Sequence, residues 1–191
     1  MSAAPEPPDA ELAAGAVAGD ERAFSRLMQR HKDGLYRFIR RYTGEADEAY
    51  DLLQESFTAA WGALNRYDQT RSFPTWLRRI ALNKCRDWSR RRTVRRWLTR
   101  NEGLDSWTGQ TLTTDEPSPE AVISDQEQLT RLDRAIANLP AGLKEPLILT
   151  ALEGLSQDEA GKLLGLTAKA VEVRVYRARR ALSEKLALQD L

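Results

Sequence analysis

Large apolar residues recur at helical spacing through the first quarter of the chain. The stripe follows Asp20, a residue type that often caps a helix, and it stops at Gly44, where glycine is a common helix terminator. It comprises Phe24, Leu27, Met28, His31, Leu35, Phe38, Ile39 and Tyr42. This pattern predicts an amphipathic helix between the cap and the glycine.

Two more helices are predicted in the same half of the chain. A second stripe runs through residues 45–65, and a third begins near Pro74, whose fixed φ suits a first helical turn, and continues to about residue 92 or a little beyond. The second stripe consists of Tyr50, Leu53, Phe57, Trp61 and Leu64. On a wheel of the third helix, Asn83 and Asp87 fall at the polar edge of a surface that we expect to be buried.

The helical period is lost over residues 98–126, which collect Thr, Gly, Asp and Pro and therefore predict a flexible linker. It returns from about residue 126, with a break at Pro140. Near the end, Ser156 and Glu159 have capping-box spacing, Gly165 suits a helix end, and Thr167 can cap a last helix.

No stretch alternates as a half-buried strand does, so the predicted fold is all-α. We expect two small helical domains, residues 20–97 and 127–191, joined by the linker, with a helix-turn-helix in the second domain. The first 19 residues are mainly Ala, Pro and acidic residues, which predicts a disordered arm.

Composition narrows the possible functions. One Cys and one His exclude a disulfide framework or a Cys/His metal cluster within this chain, so we expect no cofactor and a reducing compartment. No apolar run reaches the roughly 18 residues of a membrane span, and the N-terminal residues lack the basic region ahead of an apolar core that a signal peptide shows. These features predict a cytoplasmic protein without membrane insertion.

The net charge of +1 conceals opposed segments. Residues 20–97 hold 18 basic and 10 acidic residues, a net +8, whereas residues 98–126 hold one basic and six acidic residues, a net −5. A local excess of Lys and Arg attracts polyanions whatever the total charge. The pattern therefore favours a polyanion-binding first domain; an ordinary solvated helix face is the alternative.

Two helices carry candidate nucleic-acid chemistry. In a helix-turn-helix the second helix enters the major groove, and the last helix here is basic; a hairpin that serves only the core is the alternative. The third helix, FPTWLRRIALNKCRDWSRRR, mixes tryptophans with arginines, as single-strand binders do. The alternative is that its tryptophans are core and its arginines are solvated.

Taken together, the two predicted domains resemble the RNA polymerase sigma factors of the extracytoplasmic-function (ECF) group. In the first domain, DLLQESFTAAW and the third helix resemble the family's core-binding and promoter-melting helices. In the second, LPAGLKEPLILTALEGLSQDEAGKLLGLTAKAVEVRVYRARRAL resembles its promoter-reading domain. Two stretches that match the family in the same order identify it more specifically than either stretch does alone.

The resemblance implies roles for individual residues of the first domain. Asp51, Gln54 and Glu55 would dock on the basic coiled coil of the polymerase β′ subunit. On the melting helix, a base flipped from the minus-ten element would be held by Asn83 with the segment after Asp87. The minus-ten set is Asn83, Lys84, Asp87, Arg90, Arg91 and Arg92.

In the second domain the resemblance implies that the minus-thirty-five element is read by Lys169, Glu172, Val173, Arg174 and Arg177. This helix departs from the family pattern, because Ala170, Glu172 and Val173 stand where a small residue, a basic residue and Ser are usual. A carboxylate can accept a hydrogen bond from cytosine N4, so Glu172 predicts an unusual element. Alternatively, it pairs with a neighbouring Arg and touches no base.

The implied function is a non-enzymatic subunit that binds the β′ and β subunits of core RNA polymerase and melts promoter DNA. The implied partners also include an anti-sigma factor. The linker would run toward the RNA exit channel, serve as a plain tether, or fold back on the basic domain. A stand-alone helix-turn-helix regulator is the alternative function. Such a regulator needs neither the melting helix nor the predicted polymerase-docking residues Asp51, Gln54 and Glu55, so the first domain argues against it.

Overall fold

The computed structural model describes residues 6–102 and 125–187, and within them it contains helices and no strand. The first four helices form what we term the front domain, and the last four form the back domain. Their bounds are α1 Asp9–Val17, α2 Glu21–Thr43, α3 Ala46–Ala63, α4 Phe73–Glu102, α5 Asp125–Ala137, α6 Ala141–Leu147, α7 Gln157–Leu164 and α8 Ala168–Ala187. The predicted all-α class is confirmed.

Local signals define the ends of α2 as predicted. The Asp20 carboxylate accepts hydrogen bonds from the backbone N–H groups of Arg22 and Ala23, at 2.9 and 3.2 Å. At the other end, Gly44 adopts φ 79°, a left-handed conformation that favours glycine, and its N–H donates to the Arg40 carbonyl. These caps fix the length of the helix around which the front domain packs.

The predicted disordered arm is wrong for residues 9–17, which form α1. Its small apolar residues Leu12, Ala13 and Ala16 are buried against the bundle. Asp9 accepts from Arg30 at 2.6 Å and lies 2.8 Å from Nε2 of His31. The helix is ordered by partners more than 20 residues away, which local composition does not report.

The predicted stripe of α3 needs a correction, because Tyr50 is 58% exposed and Trp61 is 40% exposed. Leu53, Phe57 and Leu64 of the predicted stripe are buried, and the buried side also includes Ala49, Leu52, Ser56 and Ala60. Small residues let α3 approach its neighbours closely, so the packed side is set by shape as well as by hydrophobicity.

The predicted linker is shorter than its 98–126 bounds. Helix α4 continues to Glu102, since no glycine or proline interrupts it before Gly103, and α5 begins at Asp125. The rest of the predicted linker, residues 103–124, lies outside the described residues.

In the back domain the predicted helix-turn-helix signals are confirmed. Ser156 and Glu159 form a capping box, and Gly165 has φ 71° at the end of α7. A Cβ on Gly161 would lie 2.6 Å from the carbonyl oxygen of Leu166, so only glycine permits this close approach. The turn brings Val171 of α8 into the core, where it is fully buried.

Candidate nucleic-acid interface

Helix α4 has one side buried in the core and one side exposed to solvent. Leu77, Ala81 and Cys85 are at most 1% exposed, whereas Asn83 and Asp87 are exposed. The exposed pair lies one turn apart, at the edge that the helical wheel predicts. Because the buried side fixes the axis and rotation of the helix, the polar pair is held in a defined place on the surface.

Trp76 and Trp88 of α4 pack within the fold, which favours the structural alternative for these two rings. Trp76 packs with Tyr67 and Phe73, with ring centroids 4.9 and 5.5 Å away. Trp88 is 9% exposed, and its Nε1–H donates to a carboxylate oxygen of Glu48 at 2.6 Å. Neither ring is available as an open stacking platform in this arrangement.

Three of the four predicted minus-ten cations of α4 lie beside carboxylates. They form the pairs Lys84–Glu55 at 3.4 Å, Arg92–Glu45 at 3.7 Å and Arg90–Asp87. The Arg92 guanidinium also lies 5.1 Å from the Trp88 ring centroid. Such partly exposed pairs contribute about 0–1 kcal/mol each, so phosphate groups can replace the carboxylates at little cost.

The basic end of α4 borders an open cavity of about 600 Å³ whose other wall is the start of α3. It is lined by Glu45, Ala46, Asp47, Glu48, Trp88, Arg91, Arg92 and Arg95. The wall formed by α4 includes Arg91, one of the predicted minus-ten residues, which is exposed. The cavity thus brings the predicted phosphate-binding arginines to one edge of the front domain.

An apolar groove of about 570 Å³ lies between α2 and α3. Its apolar lining is Met28, Tyr36, Tyr50, Leu53 and Phe57, and its polar lining includes Gln54. Asp51 and Gln54 are exposed, and the Glu55 side chain is 43% exposed. The three predicted polymerase-docking residues therefore share one helix, at whose exposed side an apolar groove opens.

Sequence reasoning missed this groove, because it assigned Tyr50 to the buried stripe. The useful signal was the small residues Ala49, Ser56 and Ala60, which mark a closely packed side of α3 and leave the large aromatic for another side. The Lys84–Glu55 contact joins α4 directly to one of the predicted docking residues of α3.

On α8, four of the five predicted minus-thirty-five residues share the exposed surface: Lys169, Glu172, Val173 and Arg177. The fifth, Arg174, is partly buried and lies beside α6, with Nη1 3.8 Å from the Cβ position of Gly142. Tyr176, which sequence reasoning missed, is 69% exposed on this helix. The signal available in the sequence was its position between Arg174 and Arg177 on a basic helix.

Glu172 has a partner within α8. Its carboxylate accepts from Lys169 Nζ at 2.8 Å, and the two side chains are 50% and 77% exposed. The neighbour is thus a lysine, whereas the sequence analysis had named an arginine as the alternative partner. An exposed pair of this kind separates readily when a base or phosphate competes for either group.

Comparison with known proteins now adds evidence of ancestry. Residues 27–95 match the model of Sigma-70 region 2, and residues 129–182 match that of Sigma-70 region 4. RNA polymerase sigma factor CnrH of Cupriavidus metallidurans is 42% identical over 183 residues, which cover 95% of this chain and 96% of the relative. The chain belongs to the RNA polymerase sigma factors. The stand-alone regulator is not favoured.

Further comparisons place this sigma factor in the ECF group. ECF RNA polymerase sigma factor SigW of Bacillus subtilis is 30% identical, covering 88% of this chain and 91% of SigW. CnrH in complex with the cytosolic domain of CnrY is a similar solved structure, with TM-score 0.68 and 35% identity over 94% of this chain and 97% of that one.

Within the described ranges, no helix of this sigma factor combines the length and the apolar content that a bilayer crossing requires.

Proposed function

We propose that this sigma factor docks on core RNA polymerase through the face of α3 that carries Asp51, Gln54 and Glu55. The proposed occupant is the basic coiled coil of the β′ subunit. Its cations complement the carboxylates, and its apolar side chains fit the neighbouring groove between α2 and α3. Contacts with the β subunit complete the proposed assembly.

The proposed melting surface is the outer edge of α4. Asn83 and Asp87 offer an amide and a carboxylate, which can hydrogen-bond the polar edge of a flipped minus-ten base. Lys84, Arg90, Arg91 and Arg92 bind the strand backbone. The observation that carries the proposal is the exposed polar pair on a helix whose opposite side is fully buried, since base capture needs groups held in place.

The proposed reader of the minus-thirty-five element is α8. Lys169, Glu172, Val173, Arg174 and Arg177 provide cations for phosphates and mixed groups for base edges. Tyr176, exposed on the same helix, adds an aromatic contact. On this account Glu172 leaves its lysine and accepts from a cytosine amino group, so the preferred element contains a cytosine where basic family members read another base.

The protein acts by binding, and we propose that the polymerase supplies all the bond-making chemistry. Its site of action is the cytoplasm, where the polymerase works. We also propose an anti-sigma partner that covers these surfaces. Support comes from the relative CnrH, which has been solved with the cytosolic domain of a second protein, CnrY.

Copurification with core polymerase tests the docking surface. The wild-type chain should form a stable complex, and Glu55→Lys should weaken it by tenfold or more, because a cation replaces a carboxylate opposite a basic coiled coil. Asp158→Lys, an exposed reversal on α7, is the matched control and should bind normally. Equal binding by both variants would argue against this docking surface.

A further inference from the structure

A small polar cleft lies where the front and back domains contact each other. Its volume is about 280 Å³. One wall is formed by the end of α2 and the outer part of α4, and the other by α5 and the start of α6. Beside the cleft, Arg86 of α4 donates to both carboxylate oxygens of Glu145 in α6, at 2.9 and 2.6 Å. The described residues that line this cleft are distinct from those of the groove between α2 and α3.

Cations from three helices line the cleft. Arg92 comes from α4, Arg134 from α5 and Lys144 from α6. Among the described residues of the lining, the only carboxylate is that of Glu45, which is 57% exposed and lies 3.7 Å from Arg92. Three positive charges and one negative charge leave an excess of +2. Because the walls of a cleft concentrate the potential of such an excess, this cleft should attract anions.

Lys144 brings a buried positive charge to this cleft. The residue is 5% exposed, and its Nζ donates to the backbone carbonyls of Tyr42 and Ala137, each at 2.9 Å. Among the described residues no carboxylate forms an ion pair with Lys144, since the neighbouring Glu145 pairs with Arg86. Burial lowers the pKa of Lys144 to about 8, and the positive charge of Arg92 lowers it further. A bound anion would stabilise both cations.

Two side chains of α5 can bind such an anion directly. Arg134 and Asn138 are exposed, line the same wall and lie four residues apart, which places them one turn apart on one face of the helix. The Arg134 guanidinium has no ion pair or hydrogen bond to another group of the described chain. A guanidinium binds phosphate oxygens through two parallel N–H groups, and the amide of an asparagine can donate beside it.

The opposite wall holds its arginine in a defined place. The Arg92 guanidinium lies 5.1 Å from the centroid of the Trp88 ring, and Trp88 is itself anchored by its hydrogen bond to Glu48 at 2.6 Å. The contact between Arg92 and Glu45 is partly exposed, and such pairs contribute little stability. A phosphate oxygen can therefore replace the Glu45 carboxylate.

We propose that this cleft binds a diphosphate or triphosphate group, held between Arg92 of α4 and Arg134 with Asn138 of α5. The cleft is smaller than the roughly 300–1,000 Å³ of sites that enclose a drug-sized ligand, so it fits a compact anion. More than one phosphate is expected because the two arginines approach from opposite walls, and each can pair with its own phosphate. The group is either a free inorganic anion or the tail of a nucleotide whose base lies outside the cleft.

Such a ligand would also affect the proposed melting surface. Arg92 is among the residues that we propose bind the backbone of the opened strand, so the ligand and the strand would compete for one guanidinium. Promoter opening should therefore slow when the cleft is occupied. This competition rests on the proposed function, whereas binding of the anion does not.

Isothermal titration calorimetry on the full chain tests the site. The probes are inorganic tripolyphosphate, adenosine triphosphate and sulfate, at about 0.15 M salt so that attraction to exposed charges is screened. The wild type should bind one tripolyphosphate per chain. Arg134→Gln should weaken binding by about tenfold or more, because a charged hydrogen-bonding partner is lost. Asn138→Asp, which adds a carboxylate to the same wall, should also weaken it.

Arg131→Gln is the matched control, because Arg131 lies on the same helix but does not line the cleft. It should bind tripolyphosphate as the wild type does. Equal binding by the Arg131 and Arg134 variants would overturn the site, and so would sulfate binding as tight as that of tripolyphosphate. Equal binding of the two triphosphates supports the site with an inorganic anion as ligand. Binding of adenosine triphosphate that is tenfold tighter supports it with a nucleotide as ligand.

Permanganate reactivity of promoter DNA, measured with core polymerase, tests the competition. Tripolyphosphate should slow opening by the wild type more than opening by Arg134→Gln, a comparison that controls for effects of the anion on the polymerase. Equal slowing would overturn the competition. If the wild type binds the anion but opens no promoter even without it, the proposed function is contradicted and the anion site stands.

Discussion

Helices α4 and α8 both carry cations that we propose bind nucleic acid, but the carboxylates that pair with those cations come from different places. On α4, Lys84, Arg86 and Arg92 are paired with carboxylates from other parts of the fold. The α8 pairs Lys169–Glu172 and Arg180–Glu184 form within the helix itself. We therefore expect α8 to bind duplex DNA as it stands, whereas α4 must exchange its protein partners for the opened strand.

The largest expected effect is a loss of stability that is confined to the back domain. Gly161→Ala places a Cβ 2.6 Å from the Leu166 backbone oxygen, so the turn must shift, at a cost of about 3 kcal/mol. Thermal unfolding by circular dichroism should show an early transition, and duplex binding should be lost. Gly34→Ala is the control, because its Cβ would meet no atom within 4 Å; it should stabilise α2 by about 0.5–1 kcal/mol.

The next prediction separates opening from duplex binding. Asn83→Ala should slow open-complex formation by about tenfold or more, since it removes an amide proposed to hold the flipped base. Affinity for closed duplex promoter should stay within about twofold, because α8 is untouched. Permanganate reactivity of the minus-ten thymines measures the first quantity and a filter-binding titration the second. A parallel loss in both assays would contradict the separation.

A smaller effect tests how α3 anchors α4. Trp88→Phe removes the donor to Glu48 and should lower the free energy of unfolding by about 1–2 kcal/mol. Trp61→Phe, a 40% exposed ring beside Phe24, is the control and should cost less than about 0.5 kcal/mol. Urea titrations of both variants provide the comparison; equal losses would show that the hydrogen bond is unimportant.

The smallest expected stability change concerns the cation pairs of α8. Glu172→Ala removes the acceptor and the exposed pair with Lys169, and should change the free energy of unfolding by less than about 0.5 kcal/mol. It should nevertheless relax the preference for cytosine in the minus-thirty-five element, by about 1–3 kcal/mol at the contacted base pair. Binding selection from randomised duplexes measures this preference. An unaltered preference would show that Glu172 touches no base.

Features with local causes could be predicted from sequence. The bounds of α2 follow from Asp20 and Gly44, and the helix-turn-helix follows from the capping box and Gly165, because each signal and its effect lie within one turn. The polar edge of α4 was also predictable, since Asn83 and Asp87 stand against an uninterrupted apolar side.

Features with distant causes could not be predicted. Helix α1 depends on Arg30 and His31, and the contact between the two domains joins Arg86 to Glu145, 59 residues away. The exposure of Tyr50 likewise depends on which side of α3 fits its neighbours. Hydrophobic spacing describes one helix at a time, whereas these outcomes depend on how several helices pack.

Run-off transcription with purified core polymerase tests the central claim most directly, using fragments of the genome as template. We expect transcripts from defined start sites only when this sigma factor is present, and we expect Asn83→Ala to reduce them by tenfold or more at unchanged duplex affinity. Specific duplex binding without any start-site-specific transcript would contradict the claim.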